Sequence, residues 1–254
     1  EHLFCINAQP AIDGAETRGV SIDVAVKRIR GPKGSTVTLT ILRDGESDFL
    51  EIKVVRDVIE IPTIETELRP DGIFVIELYN FSAMSPTLFR DALRQFIESG
   101  STKLLLDLRG NPGGFLEAAV DLASWFLPSG QIVVTEDYAD KQDDIIHRSR
   151  GYDVFNENLR MVILVDRGSA SASEILAGAL QHYGTAKVVG ESTVGKGSVQ
   201  ELVPITEDTS LKITVARWLL PSGKQIPNEG LMPDVEVKPT DEEVEKGTDV
   251  QLNT

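Results

Sequence analysis

The segment from Asp166 to Gln200 constrains the chain most tightly, because it changes structural character several times within a short span. Just before it, Met161 to Val165 is an apolar run with the length and content of a short buried strand. Small residues follow, Gly168-Ser-Ala-Ser-Ala-Ser173, and Glu174 to Tyr183 then has helical character. Ile175, Ala179 and His182 fall near one face of that helix, flanked by Leu176 and Leu180. Lys187 to Val189 is a second short strand leading into a glycine-rich loop, Gly190 to Gly197. A serine at the strand-to-helix junction sits among unpaired backbone N–H groups at the positive end of the helix dipole. Developing negative charge is stabilised there.

Three chemistries fit these residues. In the first, Ser171 only caps the helix: Ser171-Ala-Ser-Glu174 matches the capping box. In the second, Gly190 to Lys196 is a phosphate-binding loop, since it matches Gly-x-x-x-x-Gly-Lys after a strand. That motif next needs Ser or Thr to hold magnesium, and Gly197 stands there. Ser198-Val-Gln-Glu-Leu-Val-Pro204 then reads as an extended strand, which deprives phosphate of a helix N-terminus. In the third, Ser171 is a nucleophile and Lys196 its base. A serine hydroxyl is inert at neutral pH unless a partner takes its proton. The histidines are His2, His147 and His182. His182 ends the helix that Ser171 begins, roughly 16 Å away. A lysine serves if burial keeps it neutral, which costs roughly 4 kcal/mol. Gly195 and Gly197 let the backbone bring the amine inward. Gln200, four positions on, can hydrogen-bond that amine without charging it.

Gly168-Ser-Ala-Ser-Ala-Ser-Glu-Ile175, with Gly195-Lys-Gly-Ser-Val-Gln200 beyond it, resembles the C-terminal processing (tail-specific) serine peptidases. These are Ser/Lys enzymes with a protease core of the crotonase and Clp-peptidase type. The resemblance implies Ser171 as nucleophile rather than Ser169 or Ser173, Lys196 as base and Gln200 as the residue orienting it. Some members carry an aspartate between nucleophile and lysine; none stands between Ser171 and Lys196. Lys103-Leu-Leu-Leu-Asp-Leu108 is a strand running into Arg109-Gly-Asn-Pro-Gly-Gly114, and Phe115 to Leu127 is a helix. On the residues alone, this turn serves packing or points N–H groups into a shared space. The resemblance makes it the second wall of an oxyanion hole, with the N–H of Ala172 and that of Gly113, ahead of Gly114, as donors. Pro221-Ser-Gly-Lys224 and Gly230-Leu-Met-Pro-Asp-Val235 also belong to the family pattern.

The remaining chain fits around this core. Its 254 residues are enough for one large domain or two smaller ones. A net charge of −15 argues against nucleic acid or an anionic membrane surface as the main partner. Cys5, the single cysteine, excludes an intrachain disulfide and a cysteine-based metal site. No apolar run reaches the length of a transmembrane helix. No signal peptide is visible, and the start at Glu1 suggests a truncated sequence.

Residues 1–57 form a first unit. Ile22 to Arg30 has a helical apolar face at positions 22, 25, 26 and 29. Thr36 to Leu42 and Phe49 to Val55 are strands joined by a turn at Asp44-Gly45. With Asp13 to Ser21, this order resembles the second half of a PDZ domain, which binds peptide tails by strand addition. Glu1 to Ile12 does not match the early strands of such a domain. Residues 58–254 are the protease core: a linker or leading strand at 58–70, a strand at Gly72 to Leu78 and an amphipathic helix at Thr87 to Glu98. Gln131 to Val134 is a strand; residues 136–158, with Asp137, Asp140, Asp143 and Asp144, form a polar loop or hairpin and a solvated acidic face rather than a metal site. Ser210 to Leu219 is a strand, and residues 240–254 are a fraying acidic end.

The expected fold is α/β, with helices on a largely parallel sheet and a small partial PDZ-like α+β unit. By resemblance, the function is a serine endopeptidase acting near the C-termini of unfolded or flexible proteins outside the cytoplasm, without a cofactor. Its partners are protein tails, with a homo-oligomer possible. A peptide-binding scaffold with a vestigial Ser/Lys pair is the rival reading.

Overall fold

The computed structural model describes residues 10–43, 48–58, 62–139, 141–152, 154–155, 158–206, 209–240, 243 and 248–252. The chain divides into two compact units, Glu1–Ile61 and Pro62–Thr254.

In the first unit, β1 (Ala11–Ile12) and β2 (Ala15–Glu16) form a tight hairpin, followed by α1 (Ile22–Ile29), β3 (Thr36–Ile41) and β4 (Leu50–Val55). The sheet order is β2-β1-β3-β4, antiparallel throughout. The Asp44-Gly45 turn and residues 1–9 lie outside the described residues. Arg56 fixes the end of α1. Its guanidinium donates to the carbonyls of Arg28 and Ile29, at 3.0 and 2.7 Å, and to that of Thr36 at 3.1 Å. A cation at a helix C-terminus satisfies carbonyls that have no intrahelical partner. The apolar face of α1 is incompletely covered: Ile22 is 81% exposed, and the helix buries no residue fully.

The second unit contains a six-stranded sheet. Its strands are β5 (Ile64–Leu68), β6 (Ile73–Leu78), β7 (Lys103–Asp107), β10 (Arg160–Val165), β11 (Lys187–Gly190) and β14 (Val235–Glu236). They lie in the order β14-β11-β10-β7-β6-β5, parallel except for β5. This order follows the sequence without reversal, so each right-handed crossover leaves its helix on the same face. That face carries α2 (Ser85–Glu98), α3 (Leu116–Ala123) and α4 (Ala172–His182). Side chains alternate accordingly. Phe74, Ile76, Leu104, Leu106, Ile163 and Val188 join the main core under the helices. Val75, Leu105, Leu164 and Val189 form a smaller cluster on the other face, completed by Val237 and Leu252.

A second sheet, β12 (Ser198–Pro204), β13 (Ser210–Leu219), β8 (Ile132–Asp137) and β9 (Ile145–Arg148), is antiparallel in that order. β8 pairs with β13 only from Arg217 to Leu219, so the rest of β12–β13 is a two-stranded ribbon. The polar region 136–158 thus contains a strand, β9, within its hairpin.

The C-terminal end is a correction to the fraying expected from its acidity. Residues 248–252 are docked: Gln251 is buried and Leu252 packs on the second cluster. Arg109, paired with Asp107, also binds Asp249 at 2.8 Å. Gln251 donates to the Val237 carbonyl at 2.8 Å. Three helices on one face leave the other needing cover, and this segment supplies part of it. Burial alone would raise the Asp249 carboxyl, but the Arg109 guanidinium outweighs it and holds the group below its ordinary value. The ion pair therefore contributes fully above about pH 4 and is lost as pH falls through the depressed value. Asp249→Asn is expected to speed amide exchange in residues 248–252 at neutral pH while leaving β6 and β7 protected. Unchanged exchange would refute the tether.

Candidate active site

Two adjacent parallel strands, β7 and β10, deliver the site from their carboxyl ends. β10 runs through Asp166 and a short turn into α4, with Ser171 at the junction. Ser171 has φ 57° and ψ −113°, a conformation that non-glycine residues rarely adopt. Such strain costs on the order of 1–3 kcal/mol and persists only where the surroundings impose it. The three neighbouring serines differ in their hydroxyls. Ser169 donates to the Leu108 carbonyl at 2.8 Å, and Ser173 to that of Asn111 at 3.0 Å. Both are fully buried. The Ser171 hydroxyl donates to no described group, and the residue is partly exposed.

The turn after β7 is pressed against this serine by Asn111, which is fully buried. Its side chain donates to the Leu78 carbonyl at 2.6 Å and accepts from the Gly113 N–H at 2.9 Å. Its own carbonyl accepts from Ala170 N–H at 3.0 Å as well as from Ser173. Gly113, at φ 94°, lies so close that a Cβ there would stand 2.8 Å from the Ser171 Cβ and 2.9 Å from the Ala172 nitrogen. Only glycine fits both the backbone angle and that approach.

The third wall is the loop from Thr193 to Gly197, and Glu174 organises it. This carboxylate is 0% exposed. One oxygen accepts from Thr193 Oγ1 at 2.5 Å and Gly195 N–H at 2.7 Å. The other accepts from Ser171 N–H at 2.7 Å and Lys196 N–H at 3.0 Å. All four partners donate, which suits an acceptor-only carboxylate. Val194 N–H adds a bond to the Ser169 carbonyl at 2.9 Å, and a Cβ at Gly195 would lie 2.3 Å from the Asn228 carbonyl oxygen. The backbones of Ser171 and Lys196 are thus fastened to one oxygen atom.

The structure brings Ser171, Ala172, Gly113, Gly114 and the Lys196 backbone together. It alters two expectations. The Gly113 N–H already has its acceptor, the Asn111 amide oxygen, whereas the N–H groups of Gly114 and Ala172 have no partner among the described residues. Lys196 and Gln200 are exposed, so the dry pocket expected around the amine is absent from this arrangement. The phosphate-loop reading loses its structural basis, because Gly197 leads into strand β12 and not a helix. His182 lies at the opposite end of α4 from Ser171. Among the described residues, no group of His, Cys, Asp or Glu could hold a metal ion. The hub roles of Asn111 and Glu174 escaped sequence reasoning. For Glu174 the signal was present, since the capping-box spacing is real, but its contacts to Thr193, Gly195 and Lys196 are long-range.

Glu174→Gln would turn an amide NH₂ toward backbone and hydroxyl donors. It is expected to lower stability by about 1–3 kcal/mol in urea unfolding. A change below about 0.5 kcal/mol, the range of a neutral surface substitution, would contradict the joining role.

Comparison with known proteins places the chain in a family. The family model described as Peptidase family S41 matches residues 72–237. The chain is 37% identical over 245 residues to a carboxy-terminal-processing protease of Bartonella bacilliformis, covering 95% of this chain and 56% of that protein. It is 38% identical over 228 residues to a carboxyl-terminal-processing protease of Synechocystis, covering 88% and 52%. Among solved structures it is similar to a photosystem II D1 C-terminal processing protease, with a TM-score of 0.71 and 28% identity over 92% of this chain and 64% of that one. The chain spans about half the length of the curated relatives it matches. Because that family model matches more than half of the chain, residues 72–237, the chain belongs to peptidase family S41.

Proposed function

We propose that this chain is the proteolytic part of a serine endopeptidase that cuts unfolded or flexible proteins near their C-termini. The observation that carries the reading is Ser171: a strained residue at a helix start, its hydroxyl donating to no described group, with two unpartnered N–H groups on the segments beside it. In the proposed reaction, Ser171 Oγ attacks a peptide carbonyl and passes its proton to Lys196 Nζ. The N–H groups of Ala172 and Gly114 hold the oxyanion; this choice rests on the Gly113 N–H being engaged by Asn111. Collapse of the intermediate expels the amine, which takes the proton from lysine. Water then hydrolyses the acyl-enzyme by the same steps.

An exposed lysine is a poor base at neutral pH, because solvation favours its charged form. A peptide lying across the Thr193–Gly197 loop would exclude that water. Val194 is 47% exposed and Met232 56%, which gives such a peptide apolar surface to cover. Gln200 would orient the amine after that desolvation. Tail preference is supported by the relatives, which are named for C-terminal processing. The unit at residues 10–58 is proposed as a partial PDZ-like element that selects tails by backbone pairing, on the strength of its sequence pattern and its helix-plus-antiparallel-sheet composition. An extracytoplasmic location is proposed from the family resemblance. No helix among the described residues is long and apolar enough to cross a membrane.

Ser171→Ala and Lys196→Ala are each expected to reduce cleavage of an unfolded casein-like substrate by about 10⁴-fold or more. Equal cleavage by wild type and Ser171→Ala would remove the serine-enzyme reading as stated.

A further inference from the structure

The turn that carries the Gly114 N–H does not end at the catalytic serine. It continues through Phe115 into the first turn of α3, and there it borders a groove of about 290 Å³. Two chain segments meet at the head of that groove. Phe81 and Gly114 form a parallel β-bridge, with Phe81 N–H donating to the Gly113 carbonyl at 2.9 Å and Phe115 N–H to the Phe81 carbonyl at 2.7 Å. A Cβ at Gly114 would stand 2.2 Å from the Phe81 carbonyl oxygen, so the two segments touch. The next residue on each segment, Phe115 on one and Ser82 on the other, lines the groove. Consecutive Cα atoms are about 3.8 Å apart, so the groove begins within a side chain's reach of the Gly114 N–H.

The lining is mostly apolar. Ala83, Pro86, Phe115 and Ala118 supply it. Phe115 is 62% exposed despite being a large aromatic, which is unusual without a partner to cover it. The far end is closed by Asp121 and Arg150, which pair with each other in a short contact. Tyr152 also donates to Asp121 at 2.8 Å. Asp121 is 8% exposed and its charge is matched by Arg150, so the groove offers no free positive charge for an acidic side chain. Glu117 at the rim is exposed and adds negative charge. A volume of about 290 Å³ lies at the lower end of small-molecule sites and suits one large side chain.

We infer that the Phe115 groove is a specificity subsite that takes a large uncharged apolar side chain immediately beside the scissile bond. The inference rests on the serine-peptidase reading, with Gly114 as an oxyanion donor. A carbonyl oxygen held by that N–H brings the neighbouring substrate side chain to the head of the groove. An acidic side chain entering it would lose water and meet the Glu117 carboxylate without gaining a partner.

The test compares peptides that carry leucine, alanine or glutamate at the positions flanking the cleaved bond. Phe115→Ala removes a wall, and Ala83→Phe fills the groove; both positions are exposed, and circular dichroism checks that each variant folds. Wild type is expected to favour leucine over alanine at one flanking position by about 10-fold or more in kcat/KM, and to reject glutamate there. Both variants should bring the leucine-to-alanine ratio close to one. A ratio that neither variant moves, or an equal loss for all peptides, would overturn the subsite. The dissociation constants of the same peptides on Ser171→Ala protein give a readout that needs no turnover. If cleavage fails altogether but leucine binding still depends on Phe115 and Ala83, the peptidase reading falls and the groove stands. If binding shows no such dependence, the groove falls whatever happens to cleavage.

Discussion

The structure around the site depends on one buried carboxylate. Glu174 has no exposed surface, and removing an ionised carboxyl from water is unfavourable unless its oxygens are satisfied. Four donors satisfy them: Ser171 N–H, Thr193 Oγ1, Gly195 N–H and Lys196 N–H. Hydrogen bonds to a charged acceptor are roughly twice as strong as neutral ones. Three of the four come from the 193–197 loop, and the fourth from the helix cap. The strained angle at Ser171 and the path of the 193–197 loop are therefore not independent features. They are two outcomes of the same electrostatic requirement.

Asn111 does the equivalent work on the other side with no net charge. Its amide and its carbonyl tie the turn after β7 both to the end of β6 and to the start of α4. The two hubs lie at the carboxyl ends of neighbouring parallel strands, where loops from an α/β sheet converge. One consequence is a division of labour among glycines. Gly113 gives close approach and lends its N–H to Asn111, while Gly114 keeps an N–H free.

Much of this was legible in the residues. The apolar run at 161–165, the small-residue turn and the helix after it read correctly as β10, a junction and α4. β13 and the strand from Lys103 were equally plain, because buried strands advertise themselves by apolar runs and alternation. Misreadings had physical causes. β9 is short, largely exposed and sits among aspartates, so no apolar pattern marks it. The tail looked disordered because its charge is visible in sequence while its partner, Arg109, is 140 positions away. Glu174 looked like a local cap for the same reason: its nearest contact is local and the other three are not. Whether the Gly113 or the Gly114 N–H is engaged depends on a side-chain rotamer at Asn111, which no spacing encodes.

The β12–β13 ribbon sets one more property. Ser171 stands on α4, whose residues from Ala172 to Leu180 are all buried, whereas Lys196 stands at the foot of a ribbon that is two strands wide over most of its length and largely exposed. The ribbon is anchored at that foot, where Arg217 also pairs with β8 and Glu174 holds the Lys196 N–H. The alcohol thus rests on the hydrophobic interior, while the amine reaches out from a tethered backbone on a long side chain that is itself exposed.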